Sequence, residues 1–203
     1  MAGGAAALPS RRPGPARRAL REATQDLHER MHGHPALLLL SRGCIGRDAY
    51  AALLVGFLRF HRAVEDRLSR GPDLGPFGID VVARRRSPEL LDDLSALGVS
   101  VPAMPPCDLA VPESVPAALG YLYVTEGSRL GGRVLARALE TTLTPGSAEG
   151  RHFLLGEGGR QGQGWGEFCA AVEDVGVSQD ARAEMAGAAV SAFIAFEACL
   201  GRA

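Results

Sequence analysis

Three glycines fall within six residues, Gly127-Ser128-Arg129-Leu130-Gly131-Gly132, in a stretch that carries helical patterning from 116 to 142. A glycine in a helix interior costs about 1 kcal/mol relative to alanine, so the run costs roughly 3 kcal/mol if the segment is helical. Bare backbone is therefore needed there. Three structures need it: close packing against another helix, a kink, or a flat ligand lying on the chain. No strand pattern precedes the run, so it is not a dinucleotide fingerprint, and without a lysine it is not a phosphate loop.

The rest of the chain is patterned for helices. Residues 17–31 place Leu20, Ala23, Thr24, Leu27 and Met31 on one stripe, with Gly33 and Pro35 ending the segment. A second helix is expected from Asp48, as cap, to Leu68, with Leu53, Leu54, Phe57, His61, Val64 and Leu68 facing inward. Ser87-Pro88-Glu89 opens a third, with Ser87 as cap, that Gly98 closes. Residues 99–112 hold four prolines and read as a loop. Ser114 or Pro116 opens the glycine-bearing helix, which is expected to end near 144–146, with a short helix at 148–155. The glycine-rich 156–166 reads as a mobile loop, followed by helices over 165–175 and 179–200. No strand alternation and no internal repeat is visible. The expected fold is an all-α, single-domain helical bundle over 16–203, after a disordered tail at 1–15.

Composition excludes several functions. The formal net charge of −1 gives no electrostatic case for nucleic acid or anionic membrane. All basic residues are arginine, a bias of composition rather than of binding. The four cysteines, Cys44, Cys107, Cys169 and Cys199, form no C-x-x-C pair and read as buried free thiols of a cytoplasmic protein. The longest apolar run, 49–57, is too short to span a bilayer, and 1–15 lacks the apolar centre of a signal peptide.

His28 lies at the edge of the first stripe and by itself reads as a core or surface residue more readily than as a ligand. His32 is one turn later, but Glu29, Arg30 and Met31 do not complete a zinc motif. Taken with the glycine run, His28 says more. A histidine on one helix and a glycine-opened helix elsewhere are the two faces of a haem sandwich. One supplies an imidazole to iron; the other lies over the opposite face with room for a small gas ligand. Arginines on the first helix suit the haem carboxylates.

Leu20-Arg21-Glu22-Ala23-Thr24-Gln25-Asp26-Leu27-His28 resembles the opening helix of haem oxygenases, an L-[KR]-x-A-T-x-x-x-H pattern ending in the iron ligand. Gly127 through Leu135 resembles that family's distal G-x-x-x-G-G-x-x-L segment, and Ala192-Phe193 with Phe196-Glu197 its last core helix. Val124-Thr125-Glu126-Gly127-Ser128 and the Arg84–Gly98 region are similar to the branch associated with bacteriophytochromes. The resemblance spans about 17–200.

It implies haem b as both substrate and cofactor, held between a proximal helix and a kinked distal one. It implies oxidative cleavage by O2 to biliverdin, CO and ferrous iron. A ferredoxin- or flavoprotein-type reductase would supply electrons, and a bacteriophytochrome would receive the product. It assigns His28 as axial ligand, Gly127 and Gly131 as the distal backbone, Ser128 as the distal proton-relay position, Arg21 as a propionate partner and Phe193 as an aromatic against the ring.

Three positions depart from the family pattern. Ser128 stands where many members carry an aspartate that orders distal water. His32 stands where animal-type members carry an acidic partner for the axial histidine. Trp165 and Cys169 replace basic propionate partners. The alternative reading is a haem sensor or carrier without turnover. A third reading is a helical interaction module without haem, which would show no spectral change with hemin; a thiaminase-like relative leaves His28 and the glycines unexplained.

Overall fold

The computed structural model describes residues 13–201 except 102, 144–145 and 157–159. Among the described residues there are eight α-helices and no strand: α1 (Pro15–His32), α2 (Pro35–Ser41), α3 (Arg47–Ser69), α4 (Ser87–Ala96), α5 (Val115–Ala138), α6 (His152–Leu155), α7 (Arg160–Val175) and α8 (Gln179–Leu200). The expected tail at 1–15 lies, through residue 12, outside the described residues; Pro15 is already the first residue of α1.

α8 organises the bundle, packing against α1, α3 and α5. Its alanines let neighbours come close. A Cβ on Gly120 of α5 would collide with the Met185 carbonyl and with Ala188, so this glycine exists for helix contact. α1 and α5 start at the same end of α8. The backbone amides of Ala16 and Arg17 donate to Glu173 at 3.1 and 3.2 Å, and Ser114 Oγ donates to Glu184 Oε1 at 2.6 Å. By length and composition α8 is apolar enough to cross a membrane, with a mean hydropathy of 1.5, contrary to the sequence expectation that no segment is. Here its apolar residues build the core: Met185, Ala189, Ala192 and Phe193 are buried.

A second core layer forms where α3, α4 and α6 meet the end of α5, around Tyr50, Leu54, Leu90, Leu94 and Phe153. Asp93, fully buried, holds it together. Its carboxylate accepts the backbone N–H of His152 at 2.7 Å and of Phe153 at 2.9 Å, satisfying two orphan donors at the start of α6. Asp93→Ala is expected to cost about 1–3 kcal/mol in urea unfolding, because both donors lose their acceptor and that of Phe153 is left buried and unpaired.

Several sequence expectations shift. Pro35 ends α1 but also begins α2, in the first-turn position that proline favours. Gly46, not Asp48, occupies the N-cap of α3, and Asp48 sits in the first turn. Ser87 is the first residue of α4 rather than its cap, and its hydroxyl bonds Glu65. α5 ends at Ala138, followed by a 3-10 turn, Leu139–Thr141. The expected helix at 148–155 contracts to α6. The glycine-rich 156–166 is not all loop, since α7 reaches back to Arg160. The Gly164 carbonyl is held by the Arg84 guanidinium at 3.2 and 3.3 Å, so tertiary contact overrides weak local propensity. Cys44 is exposed, whereas Cys107, Cys169 and Cys199 are buried.

Candidate functional site

The glycine cluster divides by function. α5 continues as α-helix through the whole run. A Cβ on Gly132 would collide with the Leu154 carbonyl oxygen of α6, so this glycine serves packing. A Cβ on Gly127 or Gly131 would meet nothing within 4 Å. These two are one turn apart on one face, and seven residues separate Gly120 from Gly127, within about 20° of two full turns. The stripe that touches α8 at Gly120 is therefore open at Gly127 and Gly131. Close helix packing explains Gly120 and Gly132 and leaves Gly127 and Gly131 unexplained.

The opposite wall comes from α1. The helices approach at Tyr123, whose phenol lies near Thr24 and the Arg21 guanidinium, while the Thr24 hydroxyl donates to the Leu20 carbonyl at 2.8 Å. Burial, more than these neighbours, pushes the Tyr123 phenol up, so it stays neutral. Gly127 lies one turn beyond Tyr123 and His28 one turn beyond Thr24. Since α1 and α5 run the same way along α8, both sit on the same side of that contact. Tyr123 was not singled out from the sequence. A tyrosine four residues before an open glycine was the available signal.

Thr24 and Leu27 are buried, while His28 is exposed at the rim of that face. Its ring packs edge-on against His32, with centroids 4.5 Å apart, and against Phe193 of α8 at 6.3 Å and 86°. Its pKa is lowered, first by partial burial of the ring and then by His32, with Glu29 opposing. A neutral imidazole is the form that ligates metal. The structure thus brings Phe193 to His28, and sets Gly127 and Gly131 on the same side of the Thr24–Tyr123 contact. Arg21 is exposed two turns before His28. Ser128 lies beside the open face, with its hydroxyl donating to the Thr125 carbonyl at 2.8 Å. That leaves the serine oxygen free to accept but commits its proton.

Behind the glycines is an ionic cluster that sequence reasoning missed. Glu126 is 3% exposed and pairs with Arg84 at 3.1 Å and Arg129 at 3.2 Å. Arg84 also reaches Glu167 at 3.4 Å. The Nε of Arg129 is buried without a partner among the described residues. Glu126 directly precedes Gly127, so the cluster fixes the rotation of α5 where its backbone is bare. His61 is buried against Phe60 and Phe153, as its inward position implied. Burial, reinforced by Arg86 and Arg129, pushes its pKa down to about 3, so it is neutral.

A histidine wall and a bare helical wall fit a flat, metal-bearing ring: the first offers an uncharged nitrogen, the second a face with no side chain in the way. Residues 15–202 match the family described as Heme oxygenase. The heme oxygenase of Xanthomonas campestris pv. campestris (strain 8004) is 38% identical over 165 residues, 79% of this chain and 94% of the relative. Heme oxygenase PigA of Pseudomonas aeruginosa is 31% identical over 186 residues, 88% of each. Among solved structures, the NO- and CO-bound heme oxygenase of Neisseria meningitidis shares the fold with a TM-score of 0.72 at 24% identity, covering 93% of this chain and 92% of that one. Heme oxygenase from Leptospira interrogans also gives 0.72, at 17% identity, covering 92% and 98%. Matched over nearly its whole described length, the chain belongs to the haem oxygenase family, whose members are haem-degrading oxidoreductases.

Proposed function

We propose that this chain cleaves haem b with O2 to biliverdin, CO and ferrous iron, with His28 as axial ligand and α5 as the distal wall. The observation that carries the reading is the open face at Gly127 and Gly131, on the His28 side of the Thr24–Tyr123 contact. When bound, the haem iron activates dioxygen, and the porphyrin is what is cut.

The protein's part is positioning and proton control. His28 holds the ring from α1 in its uncharged form. Phe193 flanks that imidazole, and Arg21 is placed to meet a propionate. Gly127 and Gly131 bring backbone close to the ring and restrict which edge is reached. The Ser128 hydroxyl donates its hydrogen bond to the Thr125 carbonyl, so its oxygen is placed to accept from water and protons must arrive through water. A ferredoxin- or flavoprotein-type reductase as donor, a bacteriophytochrome as recipient and a cytoplasmic setting rest on the sequence resemblance.

The committed Ser128 proton favours one second reading, a haem carrier without turnover. Hemin titration followed by a reductase system under oxygen separates the two. The expected result is a saturable Soret complex that converts to biliverdin with release of ferrous iron. A stable complex without green product overturns the proposal in favour of the carrier.

Haem affinity should also depend on pH in one direction. Because the His28 pKa lies below the ordinary imidazole value of about 6.5, the fall in affinity on acidification is expected to have its midpoint below that value. Below it, protons displace iron and affinity falls toward tenfold per pH unit. A Soret titration whose midpoint lies above 6.5 contradicts the neutral-ligand assignment.

A further inference from the structure

Cys107 and Cys199 are 92 residues apart in sequence, yet their sulfurs lie 3.2 Å apart in the core, with Cys199 donating to Cys107. Nothing in the haem site uses them. We propose that they form a redox-active dithiol, which hydroperoxides oxidise to an intramolecular disulfide.

The surroundings hold the pair in place. Cys107 lies in the segment between α4 and α5, which has no regular structure of its own among the described residues. Side chains clamp that segment. Arg59 donates to the Pro105 and Pro106 carbonyls at 2.8 Å each, Arg67 to the Leu109 carbonyl at 2.6 Å, and Tyr121 to the Ala110 carbonyl at 3.2 Å. Cys199 is fixed from behind. A Cβ on Gly56 of α3 would sit 3.0 Å from the Cys199 carbonyl, so α3 backs this part of α8 closely. The 105–110 segment is tied down by side-chain bonds alone, without the backbone ladder of a helix, so a small local shift of Cys107 closes the gap. A disulfide bond is about 2.05 Å long, so the sulfurs need to close by only about 1 Å.

The pair is also chemically unequal. The hydrogen bond from Cys199 lowers the Cys107 pKa, and the Arg59 charge adds to this against burial. The same bond and burial raise that of Cys199. Cys107 is thus the attacking thiolate and Cys199 the resolving thiol. Both residues are buried, which excludes a bulky oxidant and restricts the reaction to a small one such as hydrogen peroxide.

In the first step the Cys107 thiolate attacks one peroxide oxygen. The O–O bond breaks, hydroxide leaves and takes a proton to become water, and Cys107 becomes a sulfenic acid. Cys199 then loses its proton and attacks the Cys107 sulfur. The S–O bond breaks, a second water leaves and the S–S bond forms. Two thiols lose two electrons, and one hydrogen peroxide becomes two waters.

The test uses the full chain without haem, so it is independent of the proposed catalysis. The protein is treated with stoichiometric hydrogen peroxide, quenched, alkylated after unfolding and mapped without reduction. The expected product is one cross-linked peptide pair joining Cys107 to Cys199, lighter by two hydrogens, with Cys169 still alkylated. Its formation should raise the melting temperature, and dithiothreitol should reverse that rise. Cys107→Ser and Cys199→Ser should each abolish the cross-link; because the wild-type map alone decides, a poorly folding variant does not rescue the idea. Recovery of Cys107 as a sulfinic acid with Cys199 still free overturns the proposal. So does a cross-link confined to Cys44 between chains, or full alkylation of both thiols when Cys44 is already oxidised.

Discussion

His28→Ala is expected to abolish the saturable haem complex and all turnover while leaving the fold intact. His28 is exposed at the rim of α1, so its removal opens no core cavity. Its loss removes the placed neutral nitrogen of that wall. Loss of a partner that merely orients a metal ligand typically costs 10–100-fold in affinity, so loss of the ligand itself should exceed about 100-fold. Hemin titration and melting temperature should be read together. Exogenous imidazole should restore part of the Soret complex in the variant. Wild-type affinity in His28→Ala would move the axial ligand elsewhere, with adjacent His32, 4.5 Å away between ring centres, the first to examine.

Substitutions within the glycine cluster should split in opposite directions. Gly131→Leu places its Cβ where nothing lies within 4 Å. The apo protein should gain up to about 1 kcal/mol from helix propensity. Turnover should be lost, because the side chain fills the space left for the ring and its gas ligand. Gly132→Ala should do the reverse. Its Cβ meets the Leu154 carbonyl, a backbone atom that cannot rotate away, so stability should fall by about 1–3 kcal/mol through overpacking. Urea unfolding and biliverdin yield on both variants decide the matter. If Gly131→Leu turns haem over at the wild-type rate, the open face is not the ligand face.

These predictions separate what patterning alone could say. The sequence located the glycine anomaly but left its cause open, because helix contact and ligand contact both demand bare backbone. Only the neighbours of each Cβ position divide the run into packing and open glycines. The long helices α3 and α8 were legible because their apolar spacing extends over many turns, and the inward face of α3 was read residue by residue. The start of α7 was not, because its glycines argue locally for a loop and Arg84, far away in sequence, holds the Gly164 carbonyl. Nothing in the sequence points to a partner for Arg84 or Arg86. In the structure both are largely buried, Arg84 on Glu126 and Arg86 on Glu89 and the Phe153 carbonyl.

By itself, the sequence determined the helical class, the stripe that puts His28 at the edge of a buried face, and the family-like pairing of that histidine with a glycine-opened helix. These are properties of local periodicity and order along the chain. The tertiary structure decided which glycines face empty space, that Tyr123 meets Thr24 one turn before the site, that the Ser128 hydroxyl donates its hydrogen bond to its own helix, and that Cys107 lies against Cys199. Each depends on how helices pack about α8, and packing brings together residues whose separation in the chain carries no information about their distance in space.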